Sequence, residues 1–163
     1  MSRRSPLLEI TNLEKHFPIK SGLFNRVSGK VYAVDGVSLE LNQGETLGLV
    51  GESGCGKSTV ARTIVQLLKP TSGIVKINGV DLATVSSEEL KKIRQKIQII
   101  FQDPYGSLNP RMTVGNIICE PLNIFRTDLN KKEKMIGVLE IMDQVGLSNI
   151  LFHRFPHELS GGQ

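Results

Sequence analysis

The chain has 163 residues, of which 39% are hydrophobic and 22% are charged, a composition typical of a globular protein and not of a disordered or fibrous one. Lysine and arginine exceed aspartate and glutamate by four, but the whole excess lies in residues 1–34, because residues 35–163 hold fourteen charges of each sign. This distribution argues against a nucleic-acid-binding face. No uncharged segment exceeds ten residues, which excludes a membrane-spanning helix of roughly 20 residues.

The first hundred residues predict strands joined by short turns. Segments 7–13 and 31–41 are rich in β-branched and aliphatic residues and predict two strands, separated by a loop over the Gly, Ser, Lys and Arg-rich residues 20–30. Segment 46–50 is a short, uncharged and mostly apolar run of the kind that forms a strand buried on both faces. Segment 97–101 predicts a second strand of this kind.

Residues that favour turns separate the predicted elements in the middle of the chain. Apolar residues recur at helical spacing over 57–68, and the Pro-Thr-Ser-Gly sequence at 70–73 ends that predicted helix. A strand at 74–77 then meets the pair Asn78-Gly79. Both residues readily adopt positive φ, so the pair predicts a tight hairpin turn.

Later segments are predicted to be helical. Ser86 and Glu89 have the spacing of a capping box, which predicts a helix that runs to about Arg94. Residues 104–111 form a turn-rich loop, and residues 131–145 predict an amphipathic helix that packs on a core. The apolar face of that helix consists of Met135, Val138, Leu139, Met142 and Val145.

The cysteines and histidines of the chain do not predict a metal site. Cys55 and Cys119 stand in unrelated surroundings without histidine or cysteine neighbours at ligand spacing, so neither a zinc site nor a disulfide framework is indicated. We therefore expect a reducing, cytoplasmic compartment. His16, His153 and His157 are scattered, and we interpret them as surface or packing residues, because no carboxylate or metal-ligand spacing surrounds them.

A phosphate-binding loop is the most specific motif of the chain. Residues 51–59 satisfy the spacing G-x-x-x-x-G-K-[ST] between a predicted strand and a predicted helix. The glycines let backbone N–H groups curl around a phosphate at a helix N-terminus, where the helix dipole favours an anion. Lys57 would reach the β- and γ-phosphates, and the Ser58 hydroxyl would be a Mg²⁺ ligand. The residues expected to contact the nucleotide are Gly51, Glu52, Ser53, Gly54, Cys55, Gly56, Lys57, Ser58 and Thr59.

A second motif narrows the class of nucleotide-binding protein. Residues 159–163 read Leu-Ser-Gly-Gly-Gln, which resembles the signature of ATP-binding cassette (ABC) ATPases, and a predicted strand leading into Gln102 lies between the two motifs. The resemblance covers the chain from about Leu7. It implies an α/β fold, the P-loop NTPase fold of an ABC-type nucleotide-binding domain. Residues 1–102 would hold the antiparallel β subdomain and part of the RecA-like core, and residues 103–163 the helical signature subdomain.

Longer stretches resemble one branch of this family. Residues 101–111 and 155–163 are similar to the ATPase subunits of bacterial oligopeptide, dipeptide and nickel importers, and residues 34–38 and 44–56 resemble their F-type subunits. The resemblance implies an energy-coupling subunit at the cytoplasmic face of the membrane, in which ATP binding and hydrolysis drive peptide import. It implies as partners a second ABC ATPase subunit, identical or related, integral membrane permease subunits and, indirectly, a solute-binding protein.

The resemblance also implies roles outside the phosphate loop. Phe17 occupies the place of the aromatic residue that stacks on adenine, and a flat ring suits a purine. Gln102 would contact Mg²⁺ or the attacking water, so it joins Ser58 as an expected metal contact, and the loop over 103–111 would face the membrane subunit. The signature would close on the γ-phosphate bound to the opposite subunit through Ser160, Gly161, Gly162 and Gln163.

Some parts of an ABC ATPase are not found in residues 1–163. In the family the Walker B aspartate, the catalytic glutamate and the switch histidine follow the signature. We therefore expect an incomplete domain, truncated at the signature, that does not hydrolyse ATP appreciably by itself. Two alternatives remain: a non-hydrolytic fragment that only binds nucleotide, and a non-transport ABC ATPase that acts on DNA or the ribosome. The short interval over 103–158, with no basic stripe, argues against a DNA clamp with long coiled coils.

Overall fold

A computed structural model of the protein describes residues 6–21, 26–103 and 106–163. The chain divides into two compact units, Met1–Gln98 and Ile99–Gln163, and each is described by itself. None of the helices within the described ranges is long and apolar enough to cross a membrane.

The first unit is built on an antiparallel sheet. Its strands are β1 (Leu8–Ser21), β2 (Arg26–Leu41), β3 (Ser72–Ile77) and β4 (Val80–Asp81), in the spatial order β2-β1-β3-β4. β1 and β2 form a long hairpin that supplies one wall of the candidate site.

The predicted loop over 20–30 is wrong, because the hairpin continues through most of it. Lys20 lies opposite Val27, and Ser21 lies opposite Arg26. Glycine, serine and lysine lower the intrinsic preference for a strand, but pairing with an adjacent strand overrides that weak preference. Residues 22–25 of the predicted loop lie outside the described residues.

The turn between β3 and β4 confirms the prediction for Asn78-Gly79. The φ angle is 50° at Asn78 and 78° at Gly79, and Ile77 on one side pairs with Val80 on the other. Asparagine and glycine tolerate this left-handed region better than other residues, so the local sequence determines the turn.

Two helices complete the first unit. They are α1 (Lys57–Ile64) and α2 (Ser87–Arg94). α1 ends earlier than the predicted 57–68, because Gln66 adopts a φ of 58° and breaks the helical path.

The start and end of α2 confirm the capping-box prediction. The Glu89 N–H donates to the Ser86 hydroxyl at 3.2 Å, and the Ser86 N–H donates to the Glu89 carboxylate at 2.9 Å. The backbone N–H and the hydroxyl of Ser86 both donate to the Glu89 carboxylate, and these two hydrogen bonds hold the pKa of Glu89 below its ordinary value.

The core of the first unit lies between the sheet and α1. β1 contributes Ile10 and Leu13, β2 contributes Val34, and α1 contributes Val60, all of them buried. Thr63 is also fully buried, and its hydroxyl donates to the Thr59 carbonyl oxygen at 2.7 Å, which satisfies its hydrogen-bonding capacity inside α1.

The predicted strands at 46–50 and 97–101 are wrong. Neither segment belongs to a strand, and Val50 and Ile100 are 91% and 96% exposed. A parallel strand buried on both faces forms only where other strands flank it and helices cover it. Within the described ranges, no strand pairs with either segment, so their apolar composition is not sufficient to form a ladder.

The second unit is helical. It contains α3 (Val114–Phe125), α4 (Lys131–Gln144) and two short 3-10 helices, Asn149–His153 and Pro156–Glu158. Its core consists of the buried Val114, Val138 and Met142, with the ring of Phe152 packed against them.

The boundaries of α4 confirm the helix predicted over 131–145, but its apolar face is only partly buried. Val138 and Met142 are fully buried, whereas Met135 and Val145 are 46% and 71% exposed. Asn130 caps the helix, because its side-chain oxygen accepts from two backbone N–H groups of the first turn.

Candidate functional site

The phosphate-binding loop of residues 51–56 leads into α1 through Gly56. Gly56 has a φ of 100°, a left-handed conformation, and a Cβ at this position would overlap the Ala33 carbonyl oxygen. Any other residue would therefore be strained and would push the loop away from β2. The glycine of the sequence motif is thus required both by the loop conformation and by the close approach of the loop to the hairpin.

The Lys57 side chain curls over the loop. Its ammonium group donates to the carbonyl oxygens of Gly51 and Glu52, at 2.8 and 2.6 Å, and lies 3.4 Å from the Cys55 sulfur. Within the described residues, no carboxylate lies at ion-pair distance from Lys57. The positive charge is therefore held at the loop by neutral acceptors, which an anion of the right geometry can replace.

The N-terminus of α1 suits an anion. The helix has no acidic residue in its first turn, and no side chain caps Gly56. The first-turn N–H groups of a helix have no partner within the helix, and the helix dipole adds partial positive charge at the same end. Phosphate oxygens satisfy both the N–H groups and the charge.

A cavity of about 310 Å³ lies in front of this loop. Its lining residues are Gly54, Cys55, Gly56, Lys57, Ser58 and Thr59 from the loop and α1, together with Val31, Tyr32 and Ala33 from β2. The β2 residues were not predicted from the sequence. They are remote along the chain from the motif, and only the folding of the hairpin against the loop brings them to the cavity.

Phe17 lies on the hairpin beside this cavity. It is opposite Val31, which lines the cavity, but Phe17 itself is not a lining residue. Phe17 is 37% exposed as a residue, and the Lys15 ammonium group lies 5.1 Å from the ring centroid. The ring is accessible to a flat ligand, and its stacking on a base stays a prediction.

His16 packs in the hairpin, in agreement with its interpretation as a surface or packing residue, but the premise that no carboxylate surrounds it is wrong. The Nε2 atom of His16 lies 3.1 Å from the Asp35 carboxylate and 3.9 Å from the Glu14 carboxylate. The Tyr32 ring packs edge-on against the imidazole, with 4.4 Å between ring centroids. Asp35 is distant along the chain from His16, so the sequence carried no signal for this contact.

A second cavity of the first unit does not contain a predicted site residue. It has a volume of about 510 Å³, and apolar residues of the strands β1 to β4 and of the helices α1 and α2 contribute to its lining. We assign no chemistry to it, because the phosphate loop, Phe17 and the His16 cluster all lie elsewhere.

The second unit carries the remaining predicted residues. Gln102 is exposed, and the adjacent Asp103 carboxylate accepts from the Gly106 N–H at 3.0 Å. Pro104 and Tyr105, which belong to the loop predicted to face a membrane subunit, lie outside the described residues.

The signature forms an exposed turn at the end of the chain. The Ser160 N–H donates to the Gln163 side-chain oxygen, and the Gln163 N–H donates to the Ser160 carbonyl, both at 2.9 Å. Ser160, Gly161, Gly162 and Gln163 are all exposed. Just before the turn, the Phe155 N–H and the Arg154 guanidinium donate to Glu158 and hold the pKa of that carboxyl below its ordinary value.

The sequence matches a family model described as "ABC transporter" over residues 34–163. The chain belongs to the ABC transporter family. This match spans both the phosphate-binding loop and the signature, so it confirms the family resemblance of the sequence.

Curated relatives of this ABC family chain are similar over nearly its whole length. It is 49% identical to the oligopeptide transport ATP-binding protein AppF of Bacillus subtilis, over 99% of the chain and 49% of the relative. It is 50% identical to OppF of Salmonella typhimurium, over 100% of the chain and 49% of the relative. The dipeptide transport protein DppF of Escherichia coli is 47% identical. The chain thus spans about half the length of these relatives.

Solved structures confirm the fold class. The ATP-binding cassette MJ0796, in a dimeric post-hydrolysis state bound to ADP and Pi, matches with a TM-score of 0.74 and 30% identity, over 96% of this chain and 64% of that one. CbiO1 of Clostridium perfringens, part of the transporter complex cbiONQ, matches with a TM-score of 0.68 and 25% identity, over 97% and 57% of the two chains. The α/β fold is that of part of an ABC ATPase domain.

Proposed function

We propose that this chain binds ATP with Mg²⁺ as part of the energy-coupling ATPase subunit of a peptide importer. The observation that carries the proposal is the phosphate loop, in which Gly56 packs on β2, Lys57 curls over the loop, and the N-terminus of α1 has no acidic residue in its first turn.

The loop would recognise the β- and γ-phosphates. Lys57 would exchange the carbonyl oxygens of Gly51 and Glu52 for phosphate oxygens, which accept stronger, charge-assisted hydrogen bonds. The N–H groups of the loop and of the first turn of α1 would bind the remaining oxygens. These donors are sequence neighbours, so their geometry is set before the ligand arrives.

The hairpin would hold the base. Phe17 would stack on adenine, and Val31 beside it would extend the apolar surface toward the cavity. Lys15 lies over the Phe17 ring and adds positive charge near the nucleotide.

One hydroxyl side chain and one amide side chain would contact the metal ion. Ser58 lines the cavity from the first turn of α1, and its hydroxyl oxygen is a ligand type that Mg²⁺ accepts. Gln102 is exposed in the second unit, and its amide can both donate and accept hydrogen bonds. The ion, when bound, would neutralise charge on the phosphates.

The subunit would act together with other chains. The exposed turn of Ser160 to Gln163 would close on the nucleotide of a second ATPase subunit, identical or related. Relatives named as oligopeptide and dipeptide transport proteins support a peptide as the imported solute. Permease subunits and a solute-binding protein would complete the complex, with this subunit peripheral on the cytoplasmic face of the membrane.

We also propose that residues 1–163 bind ATP without appreciable turnover. Among the described residues, those that line the cavity include no carboxylate, so none of them is a carboxylate general base for an attacking water. Membership of the ABC transporter family supports ATP hydrolysis in a subunit that also supplies a Walker B aspartate and a catalytic glutamate.

Nucleotide titration tests the proposal. A fluorescent ATP analogue, titrated into the protein, should bind in the presence of Mg²⁺. Lys57→Ala should weaken this binding about ten- to hundredfold, because charge-assisted hydrogen bonds contribute about 1.5–3 kcal/mol. Lys132→Ala, at the exposed start of α4, is the matched loss of a lysine and should not change affinity. Equal affinity of Lys57→Ala and the native chain would contradict the proposal.

Phosphate release separates binding from turnover. The 163-residue chain should release no more phosphate from ATP than its Lys57→Ala variant does. Steady release by the native chain that disappears in Lys57→Ala would overturn the second proposal and leave the first intact.

A further inference from the structure

A group of three ionisable side chains lies on the β1–β2 hairpin, beside the nucleotide cavity but not part of it. One ligand atom each from Glu14, His16 and Asp35 can be chosen so that all three atoms lie within 4.8 Å of one another. None of the three residues lines the cavity. No role proposed above uses them.

The sheet register explains how these side chains meet. Glu14 and His16 are two residues apart on β1, so their side chains leave the same side of the strand. The register shifts on both sides of Lys15, which brings Asp35 of β2 to the imidazole. Such irregularities turn a side chain to a new direction and are frequent near functional sites.

The distances suit a common metal ion. Metal–ligand bonds of about 2.0–2.2 Å at a tetrahedral angle place two ligand atoms about 3.4 Å apart. The Nε2 atom of His16 lies 3.1 Å from the Asp35 oxygen and 3.9 Å from the Glu14 oxygen. Movements of a few tenths of an ångström would bring these two distances to about 3.4 Å, and the Glu14 and Asp35 oxygens, which lie within 4.8 Å of each other, would have to approach as well.

The imidazole is held in place by its surroundings. The backbone of His16 is fixed, because its backbone N–H donates to the Thr71 hydroxyl at 2.9 Å and the Thr71 backbone N–H donates to the Glu14 carbonyl oxygen at 2.8 Å. The Tyr32 ring packs against the imidazole, and the His16 side chain is only 11% exposed. The Asp35 side chain is 65% exposed, which leaves the cluster open to an ion and to water ligands.

We propose that Glu14, His16 and Asp35 bind one divalent transition-metal ion, with Zn²⁺ as the probe. One imidazole nitrogen and two carboxylate oxygens are ligands that Zn²⁺ and its first-row neighbours accept, whereas an imidazole is unusual for Mg²⁺ or Ca²⁺. The ion takes the place of the hydrogen bond between His16 and Asp35: Nε2 binds the ion as part of a neutral imidazole whose proton is on Nδ1, any second proton is released to water, and a water molecule fills the remaining coordination position. The bound ion connects β1 to β2. Tyr32, which packs against His16, also lines the nucleotide cavity.

Calorimetric titration of ZnCl₂ into untagged, chelator-treated protein without nucleotide tests the site. One equivalent should bind, and Asp35→Asn should weaken binding at least about tenfold, because even the loss of an outer-shell partner has an effect of that size. Glu40→Gln, the matched loss of an exposed carboxylate on β2, should bind like the native chain. Because nucleotide is absent, the result is independent of the proposed function.

Nitrogen chemical shifts of the three imidazoles identify the ligand. Zn²⁺ should shift the Nε2 resonance of His16 and leave those of His153 and His157 unchanged. His16→Gln should abolish the binding, with an unchanged far-UV circular dichroism spectrum to show that the chain remains folded. Absence of binding at one equivalent, or native affinity in both Asp35→Asn and His16→Gln, would overturn the proposal.

Discussion

Replacing Gly56 by alanine isolates the contact between the phosphate loop and the hairpin. Gly56 and Gly54 both have left-handed φ angles, 100° and 82°, so alanine at either position is strained by about 1–3 kcal/mol. The two positions differ in their surroundings. A Cβ at Gly56 overlaps the Ala33 carbonyl, whereas a Cβ at Gly54 meets nothing within 4 Å.

The overlap with the Ala33 carbonyl lowers the free energy of unfolding of Gly56→Ala further, and Gly54→Ala has no such overlap. Ala33 precedes the buried Val34 on β2, so its carbonyl cannot move without disturbing the core. Overpacking of this kind typically costs about 1–3 kcal/mol. We therefore expect Gly56→Ala to lower the free energy of unfolding by about 2–6 kcal/mol, and Gly54→Ala by about 1–3 kcal/mol.

Urea unfolding followed by far-UV circular dichroism measures both variants, since the chain has no tryptophan for fluorescence. Gly146→Ala serves as a control outside the loop, with a φ of 70° and open space around its Cβ. It should behave like Gly54→Ala. Equal destabilisation by Gly56→Ala and Gly54→Ala would refute the reasoning, because it would show that the loop does not press on β2.

Two further predictions concern the stacking of Phe17 on adenine and the effect of Glu158, just before the signature, on stability. Phe17→Ala should weaken ATP-analogue binding by about 1–3 kcal/mol, the usual contribution of base stacking, whereas Phe17→Tyr should retain it; unchanged affinity in Phe17→Ala would exclude stacking. The folded pKa of Glu158 lies below its ordinary value of 4.5, so the carboxylate stabilises the fold above that pH, and this contribution is lost as pH falls through the folded pKa. Urea midpoints should therefore decline less steeply below pH 4.5 in Glu158→Gln than in the native chain, and identical pH profiles would contradict this assignment.

Features that depend on residues close in sequence were predictable. The capping box of α2 joins Ser86 to Glu89, and the turn at Asn78-Gly79 depends on two adjacent residues with positive φ. Their interactions lie within three residues of each other, so neither needs the rest of the fold to form.

Features that depend on a distant partner were not predictable. The apolar segments 46–50 and 97–101 have the composition of buried strands, yet a strand forms only when a neighbouring strand pairs with it. The opposite case occurs at residues 20–21 and 26–30, which include poor strand formers and nevertheless belong to β1 and β2, because each strand pairs with the other.

Some features of the candidate site were likewise predictable from the sequence, and others were not. The spacing of Gly56 and Lys57 determined the phosphate loop and its helix, because a loop that curls around an anion uses consecutive backbone N–H groups. Only the tertiary structure decided that Tyr32 lines the cavity and that Asp35 meets His16. Both depend on the register of two long strands, which irregular pairing shifts by a residue and which short-range sequence patterns do not encode.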